Sequence, residues 1–293
     1  MMTKNKYSVF IISHGRANNQ LTVNSLRKCG YNDKIYIIVD NLDKQVDEYI
    51  ENANGNEIVI FDKEKIFETC DTMDNFHNLS SALYARNFCF ELAKRLNIDY
   101  FVLLDDDIQH FGIRYDDNGS LKRKEIASIN EVFDIYINYM QKANITCLGF
   151  GNEGGYIGGT GGKFSKGYGR TTNQAMIFKT NTEARFLGTQ NEDFNICCKY
   201  FNEIFMEIYG VSIMTPVRGT NDGGNNYDLS GMYVSNFYSL MLAPSFNKII
   251  IGKNITLKRK WDCFVPMILS EEVKKWEMTL QYLFLHMVDQ TML

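Results

Sequence analysis

The sequence predicts an α/β fold, a mostly parallel central sheet of Rossmann type flanked by helices. Three observations carry this reading. Short apolar runs alternate with helix-like segments in units of roughly 30 residues, the length of a strand–helix–strand crossover. Several runs are apolar throughout, as in Tyr100-Phe101-Val102-Leu103-Leu104, the pattern of a strand buried on both faces. The loops after three of them carry His14-Gly15-Arg16, Asp40-Asn41 and Asp105-Asp106-Asp107, which would gather polar groups at one sheet edge.

In chain order, Tyr7 to Ser13 is the first buried strand, broken by Gly15-Arg16. Asn18 to Cys29 has helix-like apolar spacing at Leu21, Val23 and Leu26. Lys34 to Val39 is a second strand, Asp43 to Ala53 a helix, and Glu57 to Phe61 a third strand. Leu79 to Leu96 reads as a long helix leading into the strand at 100–104. Asp116-Asp117-Asn118-Gly119, inside Phe111 to Arg123, is a strong hairpin turn signal. Ile129 to Ala143 is a helix, Gly149 to Gly169 is glycine-dense, and Ala175 to Lys179 is another strand. Glu192 to Tyr209 reads as one helix with an acidic start, residues 218–231 as a polar loop, and Ser270 to Met287 as an amphipathic helix.

Composition bounds the function. A net charge of −4 argues against a protein coated in nucleic acid, while leaving room for a local basic groove. Seven cysteines at irregular spacing, without a CxxC pair, point to free thiols in a reducing compartment. No apolar run reaches the about 18 residues of a membrane span. The N-terminus enters a strand pattern without a signal peptide, so the expected location is the cytoplasm, with no membrane partner.

The acidic triplet is the most informative feature. Three adjacent carboxylates at a strand end repel one another unless a cation sits among them, and a hard divalent ion with oxygen ligands, Mg²⁺ or Mn²⁺, suits such a site. Ser13-His14-Gly15-Arg16 offers a glycine for close backbone approach and an arginine for phosphate or base, or is a plain strand-to-helix turn. Arg86 and Asn87, in Tyr84-Ala85-Arg86-Asn87, lie early on a helix from which a side chain could reach a diphosphate; Arg86 could equally be a surface charge. Asp40 could accept from a base or ribose, or form a turn. Glu192 and Asp193 could cap their helix, or one could act as general base. Lys163, Lys166 and Arg170 with Tyr156, Phe164 and Tyr168, and Lys258-Arg259-Lys260-Trp261, are basic-aromatic clusters that suit a polyanion or serve only solubility. His14, His77, His110 and His286 form no zinc-ligand pair.

The order of these motifs, strand-HGR, strand-Asp, ARN, LLDDD, a glycine-rich loop and NED, resembles the GT-A glycosyltransferases of the inverting family 2 type. More narrowly, Leu103-Leu104-Asp105-Asp106-Asp107-Ile108 with Phe111, Asn191-Glu192-Asp193-Phe194, Tyr233 to Ser245 and Val265 to Ser270 resemble the TET-associated glycosyltransferases of phages. The resemblance implies a single GT-A-like domain over 1–293, with a nucleotide-sugar half at 1–110 and an acceptor half at 111–293 ending in a C-terminal acceptor lobe. It implies a nucleotide-diphosphate sugar as donor and hydroxymethylated pyrimidine in DNA as acceptor. By the same resemblance Asp107 and Asp105 hold Mn²⁺ or Mg²⁺, and Asp193 is the base beside Glu192. Ser13, Gly15, Arg16, Asp40, Arg86, Asn87, Asp105 and Asp106 meet the nucleotide sugar. The late histidine ligand frequent in such enzymes has no counterpart between His110 and His286, which leaves Asp222, Asp262 or water for that position. Rival readings are a polysaccharide or protein glycosyltransferase, a non-catalytic nucleotide-sugar or DNA-binding module, and a nucleotidyltransferase.

Overall fold

The computed structural model describes residues 6–216, except 75, 157, 159–160, 163–167, 170–171 and 173, and residues 229–252 and 255–259. The described chain opens with β1 (Tyr7–Ile12), α1 (Leu21–Lys28), β2 (Ile35–Asp40), α2 (Val46–Glu51), β3 (Glu57–Phe61), α3 (Lys63–Phe67), α4 (Leu83–Arg95) and β4 (Tyr100–Asp105). A hairpin of β5 (His110–Asp117) and β6 (Ser120–Glu125) follows, then α5 (Ile129–Ala143), β7 (Cys147–Asn152), a 3-10 turn at Glu153–Tyr156, β8 (Tyr168–Gly169) and β9 (Ala175–Lys179). The order ends with α6 (Glu192–Lys199), β10 (Phe205–Met214), α7 (Leu229–Leu242), β11 (Asn247–Ile251) and β12 (Ile255–Arg259).

One mixed sheet runs β3-β2-β1-β4-β9-β7-β10-β5-β6, with β8 also on β10; β11 and β12 form a separate hairpin. The half built from β3, β2, β1 and β4 is parallel throughout. Beyond β4 the sheet is mixed: β9 is antiparallel to both β4 and β7, while β10 runs parallel to β7 and antiparallel to β5. The parallel half forms as the periodicity predicts: β1, β2 and β4 are buried on both faces, the edge strand β3 only in part, and each crossover carries a helix. On one face, Val9, Ile11, Val102 and Leu104 join Leu26 of α1 and the stripe Val132, Phe133, Tyr136, Ile137 and Met140 of α5. The i, i+4 and i+3 spacing of that stripe is what makes α5 a helix, and Asn144 ends it with φ 51°. On the other face Phe10, Phe101 and Phe178 stack at 5.5 Å spacing across three strands, with Phe90 of α4 edge-on at 5.0 Å to Phe101.

Three sequence expectations change. The helix from Glu192 stops at Lys199 rather than Tyr209. Phe205–Met214 is instead a strand at the middle of the second half, hydrogen-bonded to β7 in parallel and β5 antiparallel. Its aromatic and β-branched residues are buried on both faces, so apolar periodicity alone could not separate it from a helix. The helix at Leu79 begins at Leu83, and residues 229–231, read as loop, open α7. The turn signal at Asn118-Gly119 yields the hairpin it predicts, with φ of 52° and 81°. The helix at 270–287, the motif at 265–270, Lys163, Lys166, Phe164, Arg170, Lys260, Trp261, Asp222, Asp262 and His286 lie outside the described residues.

Candidate active site

The carboxyl ends of β1, β2 and β4 meet at one edge, where Ile12 is the register partner of Asp105. Two residues of α1, Thr22 and Ser25, fix the turn that carries the acids. Thr22 Oγ1 donates to the Asp105 carbonyl at 2.6 Å and accepts from Ile108 N–H at 2.9 Å, while Thr22 N–H donates to the Asp106 carbonyl at 3.2 Å. Ser25 Oγ reaches the carbonyls of Ile108 and Gln109 at 2.8 and 2.6 Å. A turn of three like charges is thus held from behind by backbone contacts that do not depend on the charges.

Each aspartate has a different environment. Asp106 is buried, accepts from Ser13 Oγ at 2.6 Å and is ion-paired to the Arg16 guanidinium. Arg16 N–H donates to Tyr49 Oη at 2.9 Å, so the Tyr49 hydroxyl donates onward to Ser13 Oγ at 2.6 Å and Ser13 to Asp106. Asp105 receives Arg86 Nη2 at 3.1 and 3.3 Å, one distance to each oxygen. Asp107 Oδ2 lies 3.7 Å from Arg16 Nη1.

Arg86 is buried in α4 with its guanidinium 5.4 Å over the Phe186 ring, and its Nε is 3.7 Å from Glu192 Oε1. This arginine therefore joins the acidic turn to the start of α6. Glu192 is buried and Asp193 half-buried in the first turn of that helix, where the helix dipole favours negative charge. Burial pushes Asp105 up to about 7 against the pull of Arg86, with Asp107, Asp106 and Glu192 adding to the rise. Burial raises Glu192 likewise, opposed by Arg86 and reinforced by Asp193. Asp106 is also raised by burial, opposed by Arg16 and Ser13.

Beside this cluster, Gly15 takes φ +67° and donates its N–H to Asp43 Oδ2 at 2.7 Å. Asp40 accepts from His14 Nδ1 at 2.8 Å and from Lys63 Nζ at 3.1 Å. Burial alone would raise Asp40, but His14 and Lys63 outweigh it and hold its carboxyl below the usual range. Its hydrogen bond to Asp40 raises His14 in return, against its own desolvation.

The structure thus brings Ser13, Arg16, Arg86, Asp105, Asp106, Asp107 and Glu192 to one edge, with Asp193 next in chain and Gly15 and Asp40 alongside. Asn87 differs. Its side-chain N–H₂ donates to the Phe186 carbonyl at 2.9 Å and its oxygen accepts from Phe186 N–H at 2.9 Å, so its amide fastens α4 to that segment. His110 faces Glu125 at 4.0 Å. Sequence reasoning missed Tyr49, Asp43 and Lys63. Tyr49 sits on a short helix as one aromatic among apolar neighbours, and no local pattern marks its hydroxyl as a partner of Ser13.

Four carboxylates, at residues 105–107 and 192, face two guanidiniums, Arg16 and Arg86. That excess of hard oxygen donors suits Mg²⁺ or Mn²⁺, which needs only one or two protein carboxylates when substrate phosphates and water complete its shell. Among the described residues no group of three or more His, Cys, Asp or Glu has metal-ligating geometry.

Residues 7–214 match the profile of the TET-associated glycosyltransferase family. The chain belongs to this family. No curated protein sequence matches this TET-associated glycosyltransferase. Among solved structures, it is similar to glucosyl-3-phosphoglycerate synthase from Mycobacterium tuberculosis in complex with phosphoglyceric acid, at 9% identity over 87% of this chain and 86% of that one, TM-score 0.43. The same enzyme in complex with uridine-diphosphate aligns at 9% identity over 87% of each chain, TM-score 0.41. Mouse xyloside xylosyltransferase 1 aligns at 11% identity over 59% of this chain and 66% of that one, TM-score 0.30. Likeness at this level carries no argument about substrate. Among the described residues of this glycosyltransferase, no helix is long and apolar enough to cross a membrane.

Proposed function

We propose that this glycosyltransferase moves a sugar, with inversion, from a nucleotide-diphosphate donor to the hydroxyl of a hydroxymethylated pyrimidine in DNA. The observation that carries the reading is the sheet edge where Asp105–Asp107, Arg16, Arg86 and the acidic start of α6 converge. Asp107 and Asp105 would hold Mg²⁺ or Mn²⁺, which when bound supplies charge stabilisation for the departing diphosphate.

The chain's own residues account for the rest. Arg86 and Arg16, each paired to a different aspartate of the acidic turn, meet the donor phosphates. Asp106 holds Arg16, and Asp105 with Glu192 holds Arg86, so neither guanidinium needs to reorganise when charge develops. Asp193 removes the proton of the acceptor hydroxyl. The oxygen attacks the anomeric carbon, the bond to the diphosphate oxygen breaks, and the electron pair leaves on the diphosphate. A single displacement inverts the anomeric centre. Asp193 suits the base better than Glu192, because Glu192 is buried against Arg86 and Asp193 is half exposed. Asp40, Gly15 and Ser13 line the nucleotide side of the same edge.

The DNA acceptor rests on family membership and on basic residues away from the acids, including Lys258 on β12. The test is transfer to hydroxymethylcytosine DNA against plain DNA and glycans, with metal added or chelated. Asp193→Asn is expected to lower kcat by ~10²-fold or more with donor KM little changed. Asp107→Asn is expected to abolish metal-dependent turnover. Full activity of Asp107→Asn would sink the metal assignment, and labelled glycan without labelled DNA would sink the acceptor assignment.

A further inference from the structure

The sheet does not end at the acids. Gln174 accepts from Asp105 N–H on its backbone carbonyl at 2.9 Å, and its side chain accepts from Asn152 Nδ2 at 2.8 Å. The next residue along, Glu153, opens the 3-10 turn after β7 and is ion-paired to Arg114 of β5. The Arg114 guanidinium lies 4.9 Å over the Tyr156 ring. Tyr156 donates its hydroxyl to the Tyr209 carbonyl, crossing Gly151, where a Cβ would fall 2.8 Å from the Tyr156 oxygen. Arg114 is thus fixed from below by a ring and from the side by a carboxylate, yet its Nε is buried without a hydrogen-bond partner.

Across the hairpin, the register partner of Arg114 is Arg123. Like charges at opposed positions on one face repel, and among the described residues Glu153 is the only carboxylate ion-paired to either arginine. The Arg123 side chain lies back along β5: a Cβ on Gly112 would sit 2.9 Å from Arg123 Nε. His110, Gly112 and Arg114 share one face of β5, and His110 follows the acidic turn. Arg114 therefore stands about 13 Å along that face from the start of the strand.

We propose that Arg114 and Arg123 form an acceptor-side phosphate subsite, which grips the backbone of a polyanionic acceptor one or two units away from the hydroxyl being glycosylated. Arg114 is held in place by Tyr156 and Glu153, Arg123 stands opposite it in register, and an anion bridging the two would offset their repulsion. This inference rests on the DNA reading above and adds the residues that recognise the polymer rather than its modified base.

The test compares wild type with Arg123→Gln, Arg123→Lys and the double variant Arg114→Gln with Glu153→Gln, which removes the ion pair without stranding Glu153. The probe is a fluorescent oligonucleotide containing hydroxymethylcytosine, titrated over a salt series. The acceptor KM is also measured for free hydroxymethylcytidine, which has no phosphate. Loss of each arginine is expected to weaken oligonucleotide binding several-fold and to reduce the salt slope by about one. Arg123→Lys should keep that slope, and KM for the free nucleoside should be the same in all variants. Variants that bind the oligonucleotide as wild type does, or that lose nucleoside and oligonucleotide equally, would overturn the subsite and leave the DNA acceptor standing. Wild-type protein that neither binds nor glycosylates the oligonucleotide would overturn both.

Discussion

The three consecutive aspartates are chemically identical and structurally unequal, and their differences can be measured separately. Asp106 is clasped by Ser13 and Arg16 with side chains about one-tenth exposed on both sides of the ion pair. Removing it breaks the short ion pair and leaves the buried Arg16 guanidinium with the longer contact to Asp107, so Asp106→Ala is expected to cost about 3 kcal/mol in denaturant unfolding. Asp107 is more exposed and adds to the repulsion felt by its neighbours. Asp107→Asn is therefore expected to leave stability within ~1 kcal/mol of wild type while removing turnover. The triplet itself was legible in the sequence. The division of labour was not, because it depends on Tyr49 and Ser13, brought together from segments far apart in the chain. At the neighbouring pair, His14 is raised in the folded state, so its stabilisation is full below its ordinary pKa of 6.5 and fades as pH rises through the raised value. Asp40 is lowered, so its share is present above 3.8 and fades as pH falls through the lowered value. His14→Asn should accordingly cost more stability at pH 6 than at pH 8.5, by a small amount because His14 is half exposed. Equal cost at both pH values would show that the hydrogen bond does not depend on charge.

Single elements divide their work between the two sides of the sheet edge. Helix α4 places Arg86 against the acids and, one residue on, turns Asn87 to the Phe186 backbone. Successive helix residues point about 100° apart, so neighbours in sequence are not neighbours in a site. Sequence reading took the pair Arg86-Asn87 as one nucleotide contact; the geometry gives it two destinations. Asn87→Ala leaves a buried carbonyl and N–H unpaired and is expected to cost about 1–3 kcal/mol. Its donor KM should be close to that of wild type, and a large rise in KM at unchanged stability would restore Asn87 to the donor site. The start of α6 was legible because acids beside a helix start are a local pattern. Its end was not, since Tyr200 to Ile204 contain neither glycine nor proline to mark the break before β10.

At the scale of the molecule, one sheet carries both the proposed nucleotide side and the proposed acceptor side. The alternation of strands and helices foretold the parallel half up to β4. It could not foretell that β10 would lie between β7 and β5, because that order depends on pairings between residues about 60 and about 100 positions apart. Strand β9 then couples the halves by bonding antiparallel to β4 on one side and β7 on the other. Two cores, one on each face, both run across β4 and β9: Val102, Leu104, Ala175 and Ile177 belong to one, Phe101, Leu103, Met176 and Phe178 to the other. A structure continuous in sheet and core should open as one unit. Binding at the β1–β4 edge should then protect strands that the ligand never touches. A nucleoside diphosphate with Mn²⁺ at a hundred times its Kd adds about 2.7 kcal/mol to global stability, or ~100-fold slower exchange of the most protected amides. Hydrogen exchange is expected to slow by that same factor in α5, β7 and β10 as in β1 and β4. If only β1, β2 and β4 slow while α5 and β10 exchange as before, the sheet is two cooperative units that happen to be contiguous, and donor binding does not order the acceptor side.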